Sequence, residues 1–288
     1  QYYSAKKETE RMNQEVIGID LGGTNFKMGR VKNGEILQEV QRAVHATMAE
    51  DELLDILFQL IDAIITSETK AIGIGVPGIV DPETGVIYDI QNLPAWKEVP
   101  LRSLLEARYA VSVYLNNDAN CFALGEKMYG DGQSYQNFIG LSIGTGIMGV
   151  IIKNEIYSGV VCGAGEIAMV PYKDSIIENY ASSFFFSDRY QKSGKALSEL
   201  AKKGDPTAIL AFEEFGVHFG EAVKIILYLF APEAIILGGS ISKAYPFFKD
   251  TMESALATFA YPKQLEHLEI IVSHRANLPI LGAAALCF

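Results

Sequence analysis

Val16-Ile17-Gly18-Ile19-Asp20-Leu21-Gly22-Gly23-Thr24-Asn25 is an apolar run that ends in one carboxylate and two glycines. Val16, Ile17 and Ile19 read as a buried strand. Gly22 and Gly23 read as a tight turn whose backbone comes close to something. Thr24 and Asn25 add short polar groups. Phe26 to Val31 resume as a second strand, and Lys32-Asn33-Gly34-Glu35 is a hairpin signal. No helix and no Gly-Lys-Ser/Thr follows the glycines, so this is not the P-loop order. It fits a hairpin whose turn amides cradle phosphate, with Asp20 placed to hold a metal through water. The same ten residues also fit an ordinary hairpin that needs its glycines for geometry alone.

The second half of the chain separates these readings. Phe138-Ile139-Gly140-Leu141-Ser142-Ile143-Gly144-Thr145-Gly146 repeats the pattern, and Ile152-Lys153-Asn154-Glu155-Ile156 repeats Val31-Lys32-Asn33-Gly34-Glu35-Ile36 with one gap. A duplicated strand–turn–strand unit predicts two similar domains facing each other across a cleft. Ser142 stands where Asp20 stands in the first copy, so only the first copy carries the carboxylate.

With 288 residues, 49% of them hydrophobic, the chain can bury a large core. A net charge of −11 argues against a general nucleic-acid or anionic-membrane surface. It does not argue against ATP, because turn amides and helix N-termini bind phosphate locally. Cys121, Cys162 and Cys287 are far apart in sequence and form no Cys-x-x-Cys, which speaks against disulfide or zinc frameworks. No apolar run reaches membrane length, and Gln1 to Gln14 lack a signal-peptide core, so a cytoplasmic protein is expected.

Strands and helices alternate along the chain, which predicts an α/β fold with mixed sheets. Met48 to Ser67 reads as an amphipathic helix. Val111 to Leu115 reads as a strand that ends at Asn116-Asn117-Asp118, and Ala119 to Tyr129 as a helix. Ile176 to Tyr190 reads as one helix, Asp205-Pro206 as the cap of a long helix to about Phe230, and Ile280 to Phe288 as a last helix. The domains are placed at 15–118 and 119–288.

Asp118 ends a strand and precedes a helix, where α/β folds put ligands. A carboxylate there can accept the proton of an attacking hydroxyl, and phosphoryl transfer asks for little more than that, positioning and charge neutralisation. Local sequence alone favours Asp118 as only the N-cap of the helix, and it is Asn117 beside it and the two phosphate hairpins elsewhere that favour the catalytic reading. Asn92, Asn117 and Glu166 on loops are candidate ligands for a small polyol, since each hydroxyl both donates and accepts. Gly144, Thr145 and Gly146 fit the β- and γ-phosphates. Gly238 and Gly239 follow a strand and open a helix, which fits the adenosine end of a nucleotide. Each glycine pair also fits a plain tight turn.

These pieces resemble the actin-like sugar kinases, and within them the ROK family (repressors, open reading frames, kinases). The matching segments are Asp20-Leu21-Gly22-Gly23-Thr24, Gly73-Ile74-Gly75-Val76-Pro77-Gly78, Asn117-Asp118-Ala119-Asn120, Gly144-Thr145-Gly146, Gly165-Glu166 and Leu237-Gly238-Gly239. The resemblance implies a duplicated, ribonuclease H-like two-domain fold, with an interdomain cleft and a last helix that packs back on the first domain. It implies ATP and Mg2+ as cofactors and a small-molecule sugar as substrate. Asp118 would be the general base, and Asp20, Gly22, Gly23 and Thr24 would lie on the nucleotide side. Glu178 joins the sugar ligands because Ile177-Glu178-Asn179-Tyr180-Ala181-Ser182 resembles the family's Leu-Glu-x-Tyr-Ala-Ser. A homodimer is expected, with no nucleic-acid or membrane partner.

Two departures matter. Met169 stands where the family usually has histidine, and Val170 to Ser175 contains no cysteine where the family usually has a zinc-binding cluster. No zinc site is therefore expected, the usual glucose assignment loses one contact, and Met169 is expected to fill apolar space. The expected activity is ATP-dependent phosphorylation of a hexose or N-acetylhexosamine, glucokinase-like. The alternative is a non-catalytic, sugar-binding regulatory protein of the same family. Only 14 residues precede Glu15, fewer than the helix-turn-helix such repressors carry. A third reading, an actin-like ATPase acting on proteins, fits the polar loop residues less well.

Overall fold

The computed structural model describes residues 12–88, 90, 92–144 and 147–288. The chain divides into two compact units. The first comprises the chain up to Gln133, Ile156–Ala164 and Arg275–Phe288; the second comprises Ser134–Glu155 and Gly165–His274.

The first unit is built on a five-stranded sheet: β1 (Glu15–Leu21), β2 (Asn25–Lys32), β3 (Glu35–Ala43), β4 (Thr69–Val76) and β5 (Ser112–Asn117), in the order β3-β2-β1-β4-β5. β1 and β2 form the predicted hairpin, with Asp20 opposite Lys27. The β2–β3 turn works as its sequence requires. Asn33 and Gly34 both take positive φ (52° and 72°), which asparagine and glycine tolerate best. β4 and β5 add in parallel and bring Asp20, Gly75 and Asn116 level at one end of the sheet.

The second unit repeats this plan. β6 (Phe138–Ser142), β7 (Ile147–Ile152), β8 (Glu155–Ile156), β9 (Ala234–Gly238) and β10 (Glu269–Val272) lie in the order β8-β7-β6-β9-β10. Paired glycines, Gly18 with Gly29 and Gly140 with Gly149, mark the same register in the two hairpins. Ser142 lies beside Gly238, just as Asp20 lies beside Gly75. The core of this unit is rich in aromatic rings: Phe186 and Phe248 are fully buried against Phe212 and Phe215 of the long helix Pro206–Phe230, which Asp205 caps through Ala208 N–H at 2.9 Å.

Three expectations need adjusting. The chain divides after Gln133 and not at Asp118, because the helix Asp118–Tyr129 packs against the closing helix Leu278–Ala285 inside the first unit. The first amphipathic helix spans only Glu50–Asp62. The expected helix from Ile176 to Tyr190 is two, Ile177–Ala181 and Ser183–Tyr190. Ser182 breaks them apart with extended backbone, and its hydroxyl caps the second through Phe184 N–H. Periodicity cannot see such a break, since serine caps a helix as readily as it sits in one.

The closing helix packs on β1 and β4, and at glycines its backbone comes directly onto the sheet. A Cβ at Gly18 would strike the Ile280 carbonyl, and one at Gly73 the Ala283 carbonyl. A Cβ at Gly282 would strike the Cys121 carbonyl, and one at Gly125 the Leu278 carbonyl. Gly18 and Gly73 are also register partners, so the helix rests on a flat glycine patch. Gly73→Ala should therefore lower stability by about 3 kcal/mol, the scale of overpacking against backbone that cannot yield. Gly144→Ala, where nothing lies within 4 Å, should stay within about 0.5 kcal/mol of the parent. Paired urea melts check this, and equal midpoints for the two variants would contradict it.

Candidate active site

The predicted site residues fall into two groups, one in each unit. In the first unit, Asp20, Gly75 and Asp118 come together. A Cβ on Gly75, the neighbour of Asp20 across the sheet, would stand 3.4 Å from Asp118 Cα and 3.2 Å from Cys121 Sγ. Glycine here lets the start of the helix Asp118–Tyr129 approach the β1 end. Asp118 is the first residue of that helix and is half-buried. The N-cap position is held by Asn117, and Asp118 is the first helical residue. Asn117 Oδ1 accepts from Ala119 N–H at 2.9 Å, an interaction that Asp118 Oδ1 shares at 2.8 Å.

Asn117 is buried, and its Nδ2 donates to the Gly78 carbonyl at 3.2 Å. Among the described residues no acceptor meets its second Nδ2 hydrogen, which suits it to a ligand. Asn92 is exposed and lies against Gly23, where a Cβ would run into the asparagine side chain. The glycine turn itself is closed by Gly22 N–H donating to the Asn25 carbonyl at 3.0 Å, and Thr24 is exposed.

Burial raises the Asp20 carboxyl to about 6, and the Lys27 ammonium opposite it only partly offsets this. Lys27 was not singled out from the sequence. The hairpin register alone could have found it, since it is the cross-strand partner of the lone carboxylate.

In the second unit, Gly144 sits in an open turn whose carbonyl accepts from Ser183 N–H (3.1 Å) and Ser183 Oγ (2.8 Å). Ser183 is a second residue that sequence reading missed. Thr145 and Gly146 lie outside the described residues. Gly238 ends β9 and its carbonyl accepts from Ile143 N–H at 2.9 Å. A turn of 3-10 helix, Ile241–Ala244, follows Gly239 before the helix Tyr245–Leu256 begins.

Glu166 and Glu178 are both half-buried. Burial pushes each carboxyl above its ordinary value, and the charge of Glu166 adds to the rise at Glu178. The helix Ile177–Ala181, which carries Glu178, packs against the 3-10 turn Ile167–Met169 that follows Glu166. A short hairpin (Pro171–Tyr172 paired with Ser175–Ile176) links them, through Val170 N–H to the Ile167 carbonyl and Ile177 N–H to the Val170 carbonyl. Met169 does not fill apolar space. It is 55% exposed, because the 3-10 turn Ile167–Met169 buries Ile167 and Ala168 and turns its third residue outward. Among the described residues no group of three or more His, Cys, Asp or Glu side chains converges as a metal site would require.

The raised Asp20 carboxyl has a thermodynamic signature. Between its unfolded value near 3.8 and its folded value near 6, the folded chain binds more protons than the unfolded one. Stability from this group is thus full below pH 3.8 and is lost as pH rises through 6. Asp20→Asn should melt above the parent at pH 7.5, without nucleotide or Mg2+, by the equivalent of about 3 kcal/mol. By pH 4 the difference should be nearly gone. Calorimetry at the two pH values checks this, and a pH-independent gap would point to some cause other than a buried charge.

A model of the ROK family matches residues 16–288. The glucokinase of Thermotoga maritima is 28% identical over 94% of this chain and 96% of that protein. The xylose repressor of Bacillus subtilis is 30% identical over 94% of this chain and 76% of that protein. Among solved structures, a ROK family glucokinase from Streptomyces griseus in complex with glucose and AMPPNP superposes with a TM-score of 0.81 at 25% identity, covering 94% of this chain and 98% of that one. The duplicated sheets are those of the actin-like two-domain fold. With a family match that covers both units, the chain belongs to the ROK family.

Proposed function

We propose that this protein is an ATP-dependent sugar kinase that moves the γ-phosphoryl group to a hydroxyl of a hexose or N-acetylhexosamine. The observation that carries the reading is the approach of Asp118 to Asp20 across Gly75, at one end of the sheet and beside the first glycine turn. Similarity to glucokinases, one of them solved with glucose and a nucleotide analogue, supports it.

In this reading Asp118 takes the proton of the attacking hydroxyl while that oxygen bonds to the γ-phosphorus. The bond from phosphorus to the bridging oxygen breaks, and ADP leaves. Asn92, the remaining Nδ2 hydrogen of Asn117, Glu166 and Glu178 hold the sugar hydroxyls. Backbone amides of the turns at Gly22-Gly23-Thr24 and Gly144-Thr145-Gly146 meet phosphate oxygens, and Gly238 and Gly239 lie toward the adenosine. Asp20 fits Mg2+ held through water: it is a buried carboxylate with a single opposing lysine, and a cation would favour its ionised form. When bound, the ion neutralises charge on the β- and γ-phosphates.

A second reading, a sugar-binding regulator without turnover, is favoured by the 30% identity to a xylose repressor. A coupled ADP-release screen over a panel of sugars separates the two. Turnover with one sugar supports the kinase, and sugar binding without turnover supports the regulator.

Asp118→Asn tests the base directly. Since Asn117 caps the helix, the substitution should leave the melting temperature and sugar binding close to the parent. Turnover should fall by about 10²–10⁴-fold, the usual worth of a general base. An active Asp118→Asn enzyme would sink the assignment.

A further inference from the structure

Residues 157–164 form a loop of the first unit with two consecutive non-glycine residues at positive φ. Val161 (φ 46°, ψ 39°) and Cys162 (φ 57°) are consecutive residues in the left-handed region. That pair of conformations belongs to Asn-Gly and is unfavourable for a β-branched valine. Val160 beside them is 84% exposed, so burial of that side chain does not compensate for the strain.

What the strain secures lies beneath. The left-handed turn drives the Cys162 side chain inward until it is 1% exposed and donates to Asn116 Oδ1 at 3.2 Å. The same oxygen accepts from Asn117 N–H and from Asn120 Nδ2, both at 2.8 Å. Ser158 Oγ, from the other side of the loop, accepts from Asn116 Nδ2 and Asn120 Nδ2 at 3.4 Å. The loop closes on itself through Ala164 N–H to the Ser158 carbonyl and Gly163 N–H to the Val160 carbonyl. Asn116, Asn117 and Asn120 bracket Asp118 in sequence. One side-chain oxygen thus ties the strand end, the first helical turn and the loop together around the candidate base.

We propose that the Val161–Cys162 turn is a strained clamp that holds Asn117 and Asp118 in register for the acceptor hydroxyl, with Cys162 as its positioning residue. The proposal rests on Asp118 acting as the base. Strain of this kind persists only where the surroundings over-determine it, and it gathers at functional sites.

Three variants test the clamp: Val161→Asn, Cys162→Ser and Cys162→Ala. Val161→Asn relieves strain and keeps the thiol, so its melting temperature should rise with turnover unchanged. Cys162→Ser keeps a donor for Asn116 and should retain turnover within about threefold. Cys162→Ala should lose about tenfold in kcat well below its melting temperature, with KM for ATP unchanged. In hydrogen exchange, Cys162→Ala should expose the amides of Asn117 and Ala119, and Cys162→Ser should not. Two results overturn the clamp: unchanged protection in Cys162→Ala, or faster exchange there with parental kcat. If the parent releases no ADP with any sugar, the reading of Asp118 as a base falls, while the exchange comparison still decides whether Cys162 holds the strand end.

Discussion

The first unit depends on backbone lying directly on backbone. At Gly18 and Gly73 the backbone of the closing helix comes directly onto the sheet, and Gly125 and Gly282 allow the same between that helix and its neighbour. Packing this close fixes β1, β4 and two helices relative to one another with little room to slide, because interiors are already dense and bistable at best. The alignment of Asp20, Gly75 and Asp118 follows from that seam. A looser interface, padded by alanine or valine, would let the strand ends drift by a fraction of an ångström, and catalytic geometry tolerates little of that.

Duplication explains the rest of the architecture and one asymmetry. Both sheets have the same strand order and the same paired glycines in their hairpins. The copies diverge at the position beside the parallel neighbour: a carboxylate at Asp20 and a hydroxyl at Ser142. A frame that cradles phosphate can be used twice, whereas a buried carboxylate is costly. Keeping it in one copy limits that cost to a single site.

Much of this was legible in the sequence, for identifiable reasons. The hairpins announced themselves because Asn33-Gly34 and the glycine turns need positive φ or open space, and few residues supply either. The place of Asp118, at the end of a strand and the start of a helix, followed from periodicity changing from 2 to 3.6. What escaped was tertiary. Asn117 and Asp118 share the Ala119 amide, Ser182 splits a helix, Ser183 holds Gly144, and Met169 faces outward. Each of these depends on what the rest of the chain places nearby, and no local pattern encodes it. Val161-Cys162 escaped for the opposite reason, since those residue types argue against the conformation they adopt.

The discontinuity of the first unit has a consequence for how the protein is made. Its sheet is encoded early, but the glycine patch of β1 and β4 is covered by Leu278–Ala285, which leaves the ribosome only after the entire second unit. Until then the patch and its apolar surroundings (Val16, Ala71 and Phe122 among them) face solvent or a chaperone. The second unit interrupts the first only once at length and can collapse on its own local contacts. The first unit therefore cannot complete its core until the second unit has been synthesised.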